Sequence, residues 1–220
     1  MARPARPEPK VFLSSDVVER GVQWYEATYF AHVTSESLLG EKSTSYLEDG
    51  AAAERVAAVL GSVPIVVQLR DPVARVVSNW RFSSANGLER RPLEQALEAN
   101  FAGPTEWEPS RTSVSPYAYL ERGRYVDYLQ PWLAVFPDTV HVQFLEEQTD
   151  GAGALAKLYA ALGVDPSFVP PQRHRRPARR SDGPAPELSP ELMSRLRAYF
   201  HPADQQLREL LQRDLPWATG

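Results

Sequence analysis

The chain has 220 residues, 43% of them hydrophobic and 24% charged, which suits a single globular domain spanning residues 1–220 with a sizeable core. A formal net charge of -4 gives no whole-molecule attraction to nucleic acid, and the lack of cysteine excludes disulfides, cysteine-ligated zinc and a cysteine nucleophile. No run of about 18 apolar residues is present to span a membrane, and the opening MARPARPEPK has no apolar signal-peptide core, so the default expectation is a soluble, cytoplasmic protein. These features leave the oligomeric state open.

In chain order, Asp16 with Glu19 three residues on reads as a capping box for a helix from Val17 to about Phe30. LLGEKSTSYL (38–47) reads as a short strand entering a loop. AAAERVAAVLG (51–61) is an alanine-rich helix closed by Gly61. PIVVQL (64–69) is apolar, β-branched and too short for a helix. It predicts a strand buried on both faces, as parallel strands are. Asp71 is a good N-cap and Pro72 a good first residue for a helix reaching about Ser84. PLEQALEANF (92–101) predicts another helix, and the polar 102–115 segment a loop. Residues 117–136 predict one long helix kinked or broken at Pro131. TVHVQFL (139–145) alternates like a strand, and GALAKLYAALG (153–163) is helical. Residues 170–187 are a proline- and arginine-rich loop. Two closing helices are expected over 189–200, capped by Ser189, and 202–212. Strands separated by helices imply an α/β fold, three-layered around a parallel sheet, and such sheets bind ligands beyond the carboxyl ends of their strands.

Arg70 lies at that end of the strand 64–69. It reads either as a solvated residue of a strand-to-helix joint or as an anion ligand. The second reading uses geometry. A helix N-terminus carries free N–H groups and partial positive charge. Ser78 is seven residues past the cap, roughly 10 Å along the axis and on the same face. A guanidinium fork from Arg70 and the Ser78 hydroxyl would meet one phosphate.

LRDPVARVVSNW (69–80), followed by a Gly-Leu-Glu segment and the PLEQALE helix, resembles the 3′-phosphate-binding section of sulfotransferases that use 3′-phosphoadenosine 5′-phosphosulfate (PAPS). The resemblance is to heparan-sulfate-type enzymes and their bacterial relatives. EPKVF (8–12), RGVQWYEATYF (20–30), GEKSTSYL (40–47), GRYVDYLQPWLAVFP (123–137) and the closing LRAYFHPADQQLRELLQRDLPW resemble further family segments in the same order. Thr44 stands where proline is usual. The resemblance implies a P-loop-NTPase-like sulfotransferase fold, with PAPS as co-substrate, no metal, and a hydroxyl or amine of a small molecule or saccharide as acceptor. It assigns the 3′-phosphate to Arg70 and Ser78.

It also implies roles elsewhere. Glu8 is the general base that an alcohol acceptor needs, where local sequence alone reads as a solvated glutamate. Lys42 stands near the reacting sulfate, and Lys10 on the acceptor side. Only Lys157 is a third lysine in a chain that otherwise uses arginine, and a compact ammonium does not replace a planar guanidinium. Trp107, in a polar loop, would line an acceptor cleft. The basic run QRHRRPARRSDG (172–183) reads as a solvated loop. The resemblance places its Arg179 and Arg180 over the nucleotide.

One family element is missing from the sequence. No Lys-x-Gly-Thr loop precedes Glu8 to cradle the 5′-phosphosulfate with backbone N–H groups, so the expected fold lacks its first strand and phosphate loop. The expectation is an N-terminally truncated sulfotransferase domain with little sulfuryl-transfer activity of its own. Two alternatives stand beside it: a non-catalytic nucleotide-binding remnant, and a P-loop kinase-like phosphotransferase, which lacks support from any Walker motif.

Overall fold

The computed structural model describes residues 3–4, 8–36, 38–108, 112–149, 153–169 and 186–219, and the chain divides into two compact units. The fold is α/β with a parallel sheet.

The first unit comprises residues 1–65 and 128–140. It holds α1 (Asp16–Tyr29), preceded by a 3-10 turn at Val11–Leu13, and α2 (Gly50–Leu60), preceded by one at Thr44–Glu48, together with residues 128–135 of a later helix. In LLGEKSTSYL the expected short strand is reduced to a single bridge residue, Leu39, and the loop expected after it ends in the helical turn at Thr44–Glu48. The capping box is not used. Ser15 occupies the cap position in helical conformation without a side-chain bond, and the Asp16 N–H donates to Ser14 Oγ at 3.3 Å. Gly21, at φ 72° and ψ 178°, breaks α1 into two helical pieces. Asp49 caps α2 by accepting from the Ala51 N–H at 3.0 Å, and Gly61 (φ 70°) closes it. Phe12, Val17, Tyr25, Tyr46, Val56 and Trp132 are among the residues of this unit's buried core.

The second unit comprises residues 66–127 and 141–220. Strands β1 (Ile65–Leu69) and β2 (Val140–Phe144), each beginning at the boundary between units, form a two-stranded sheet. On β1, Val67 and Leu69 are buried, but Val66 is 45% exposed and Gln68 is exposed, so burial on both faces is not realised. The strand shows the alternation of a sheet with one covered face.

Helix α3 (Pro72–Ala85) follows at once, with Pro72 at its first turn and Asp71 accepting from the Val73 N–H at 2.8 Å. Then come α4 (Leu93–Phe101), α5 (Tyr125–Val135), of which only residues 125–127 belong to this unit, α6 (Leu145–Thr149), α7 (Gly153–Ala161) and α8 (Pro190–Leu211). The long helix expected from 117 starts only at Tyr125, after a 3-10 turn at Glu121–Gly123, and Pro131 lies inside it without ending it. Gly123 is needed at that turn, since a Cβ there would stand 2.5 Å from the Phe200 ring. The two closing helices are one. Leu192, Leu196, Phe200, Ala203 and Leu207 are all buried at helical spacing. Keeping that apolar stripe continuous offsets the hydrogen bond that Pro202 cannot donate. Ser189 caps α8 by accepting from the Leu192 N–H at 3.2 Å.

Candidate functional site

Of the expected acceptor-side residues, Glu8, Lys10 and Lys42 lie in the first unit and Trp107 in the second. Glu8 and Lys42, 34 positions apart, meet at 3.0 Å between Oε1 and Nζ. The Thr44 hydroxyl, where proline was usual, donates toward both Glu8 carboxylate oxygens at 3.4 and 3.5 Å. The Lys42 side chain is 76% exposed and that of Glu8 33%, and so open a pair adds about 0–1 kcal/mol, little enough for a substrate to displace it.

The segment carrying Glu8 is strained. Glu8 and Lys10 both have positive φ, 49° and 59°. Neither is glycine, and Glu8 precedes Pro9, where extended backbone is favoured. Such strain persists only where the surroundings impose it. Here they do. The Lys10 N–H donates to Ser43 Oγ at 3.0 Å, and the Phe12 N–H to Tyr46 Oη at 3.3 Å. Ser43 Oγ in turn donates to Glu41 Oε1 at 3.2 Å, and Tyr25 Oη to Glu41 Oε2 at 2.9 Å. Burial raises the Glu41 carboxyl above its ordinary range, while hydrogen bonds from Tyr46, Tyr25 and Ser43 pull it back down. Burial and the Glu41 charge push the hydroxyls of Tyr25 and Tyr46 upward. A polar knot therefore underlies the Glu8 segment. Glu41 was not singled out from sequence, although it sits inside the quoted GEKSTSYL run.

The expected donor-side residues that are described lie in the second unit. Arg70 closes β1 and Ser78 sits on α3, both half-buried. Among the described residues, the Arg70 guanidinium and the Ser78 hydroxyl donate no hydrogen bond to the protein. The backbone at Arg70 is well held. Tyr125 Oη donates to the Arg70 carbonyl at 2.9 Å. Burial pushes the Tyr125 hydroxyl up to about 12, against the pull of Arg75 and Arg70. A guanidinium with its fork uncommitted, one residue before the cap of α3, is a group suited to an anion.

Trp107 is half-buried and lines a cleft of about 340 Å³ with Leu88, Glu106 and Tyr117. Beneath it, the Tyr117 hydroxyl donates to the Leu88 carbonyl at 2.9 Å. Burial works against the charge on the adjacent Glu89. Hydrogen bonds from Arg91 and Tyr119 nevertheless hold its carboxyl down at about 2. Arg179 and Arg180 lie outside the described residues. No group of three or more metal-ligating side chains is found among the described residues, and no helix there is long and apolar enough to cross a membrane.

No protein-family model matches the chain. Curated relatives do. Heparan sulfate glucosamine 3-O-sulfotransferase 3B1 of Mus musculus is 24% identical over 231 residues, covering 96% of this chain and 57% of that protein. Heparan sulfate glucosamine 3-O-sulfotransferase 6 of Homo sapiens is 24% identical over 224 residues, covering 90% of this chain and 62% of that one. The human bifunctional heparan sulfate N-deacetylase/N-sulfotransferase 3 is 26% identical over 172 residues, covering 74% of this chain and 19% of the relative. The chain thus spans less than two thirds of the length of these relatives. Among solved structures, a sulfotransferase from Alicyclobacillus acidocaldarius matches with a TM-score of 0.74 and 25% identity, over 97% of this chain and 86% of that one.

Proposed function

We propose that this chain, which belongs to the PAPS-dependent sulfotransferase family, takes part in transferring a sulfuryl group to a hydroxyl or amine of a saccharide or other small acceptor. The observation that carries the reading is the meeting of Glu8 and Lys42 on strained backbone. PAPS, when bound, supplies an activated sulfuryl group and a phosphate leaving group. Glu8 takes the proton from the acceptor as its oxygen or nitrogen forms the bond to sulfur. The bond from sulfur to the 5′-phosphate oxygen breaks, and the electron pair leaves with 3′-phosphoadenosine 5′-phosphate. The Lys42 ammonium, released from Glu8, balances negative charge developing at the transferring group. Lys10 contributes charge on the acceptor side. The family resemblance assigns the donor's 3′-phosphate to Arg70 and Ser78, the nucleotide to Arg179 and Arg180, which lie outside the described residues, and an acceptor contact to Trp107. Positioning and electrostatics supply most of the rate in transfers of this kind.

The test is transfer of labelled sulfate from PAPS to a panel of hydroxyl and amine acceptors. It is run on this chain and on a form carrying a Lys-x-Gly-Thr loop ahead of Glu8, since the 220 residues contain none. Glu8→Gln in the active form lowers kcat by roughly 10²–10⁴-fold with donor affinity unchanged. Full activity of Glu8→Gln across pH would place the base elsewhere.

A further inference from the structure

We propose that Arg197, on α8, is a positioning residue for the Arg70 guanidinium, acting through Asp71. The proposal rests on the reading of Arg70 as the 3′-phosphate ligand.

The peptide unit between Arg70 and Asp71 is held at both of its polar atoms by side chains distant in sequence. Its carbonyl oxygen accepts from Tyr125 Oη of α5 at 2.9 Å. Its N–H donates to Glu146 Oε1 of α6 at 2.8 Å. With both atoms committed, the plane of that peptide cannot rotate without breaking a hydrogen bond, so the direction in which Arg70 leaves the backbone is set. The next group along is held as well. Arg197 binds the Asp71 carboxylate in a two-pronged pair, Nη1 to Oδ1 at 2.8 Å and Nη2 to Oδ2 at 2.6 Å, each side chain 20% exposed. A simple strand-to-helix joint needs only the cap, which Asp71 already provides through the Val73 N–H. Here α5, α6 and α8 all converge on two residues.

Arg197 has a second effect. Asp71 adjoins Arg70, and its carboxylate would compete with any phosphate for the Arg70 guanidinium. The fork of Arg197 occupies both carboxylate oxygens, so the Arg70 donors stay uncommitted. This pairing is specific to arginine geometry, because a lysine presents a single point charge and cannot hold both oxygens in one plane.

The measurement is calorimetric affinity for 3′-phosphoadenosine 5′-phosphate and for adenosine 5′-phosphate, whose ratio reports the 3′-phosphate alone. The unsubstituted chain is expected to prefer the 3′-phosphate by about tenfold or more, the worth of one charge-assisted hydrogen bond. Arg197→Ala is expected to remove most of that preference while leaving adenosine 5′-phosphate affinity within about twofold, and Arg197→Lys to restore it only in part. A merely structural role would weaken both nucleotides together. An unchanged ratio in folded Arg197→Ala overturns the proposal. Should Arg197→Ala fail to fold, Tyr125→Phe and Asp71→Asn decide. The first removes one hydroxyl from the clamp and the second keeps the cap without the charge, and an unchanged ratio in both overturns the proposal equally. If the unsubstituted chain itself binds both nucleotides alike, the half-site reading falls, and this inference falls with it.

Discussion

Replacing Asp204 by asparagine tests how the second unit carries a buried charge. Asp204 is 2% exposed on α8, and its Oδ2 accepts from the Trp217 indole N–H at 3.1 Å. Burial raises its carboxyl from 3.8 to about 6, and the Asp71 charge adds to that, while Trp217, Arg197 and His201 pull the other way. In the unfolded chain the group ionises near 4. The raised value therefore contributes stability that is fully present below about pH 4, is lost as pH rises through about 6, and is absent above about 7. At ~1.4 kcal/mol per pH unit, the difference between 3.8 and about 6 amounts to about 3 kcal/mol. Asparagine has the same shape and no proton to lose, and its carbonyl still accepts from Trp217. Asp204→Asn should therefore gain about 3 kcal/mol on the unsubstituted chain between pH 4 and pH 8. Urea unfolding of both proteins at five pH values, with the slope on urea checked for constancy, reads this directly. A stability difference that stays flat from pH 4 to 8 would refute the account, because it would mean that Asp204 ionises in the fold as it does in water.

Other substitutions address the candidate site and its frame. Arg70→Ala should weaken 3′-phosphoadenosine 5′-phosphate binding by about 1.5–3 kcal/mol, an estimate calorimetry checks; equal affinity for nucleotides with and without the 3′-phosphate in the starting protein would remove the assignment. Gly123→Ala places a Cβ 2.5 Å from the Phe200 ring, and Phe200 is fully buried. It should cost about 1–3 kcal/mol in thermal or urea unfolding, and a neutral result would mean that α8 can shift away.

The parts of this protein legible in its sequence are those whose signals are local. The joint at Arg70 is the clearest case: a β-branched run, an aspartate cap and a first-turn proline all occur within eight residues, and β1, the cap and α3 follow. Signals fail where the deciding partner is remote. Arg197 pairs with Asp71 across 126 positions, and nothing beside Arg197 in sequence marks it out. Pro202 looks like a helix boundary because the break it threatens is local, whereas the buried stripe that carries α8 through it belongs to the whole unit. Tyr117 to Leu120 have helical composition but lie outside α5. There Leu120 N–H donates to Asn100 Oδ1 at 2.8 Å and the Tyr119 hydroxyl to Glu89, partners that periodicity cannot reveal. Glu41 was hidden by its neighbour: a charge next to Lys42 reads as a surface pair until Tyr25 is found bonded to it.

The left-handed backbone at Glu8 and Lys10 has a consequence for how these positions respond to genetic variation. Glycine adopts that conformation without the steric cost of about 1 kcal/mol that other residues bear. At position 8, glycine would therefore tend to relieve the fold while deleting the carboxylate proposed to take the proton. In a saturation library scored twice, once for folded abundance and once for sulfate transfer, most positions of the first unit should rank substitutions alike in both screens. Positions 8 and 10 should rank them in opposite order, and that inversion would mark the strained segment without any knowledge of the chemistry it serves.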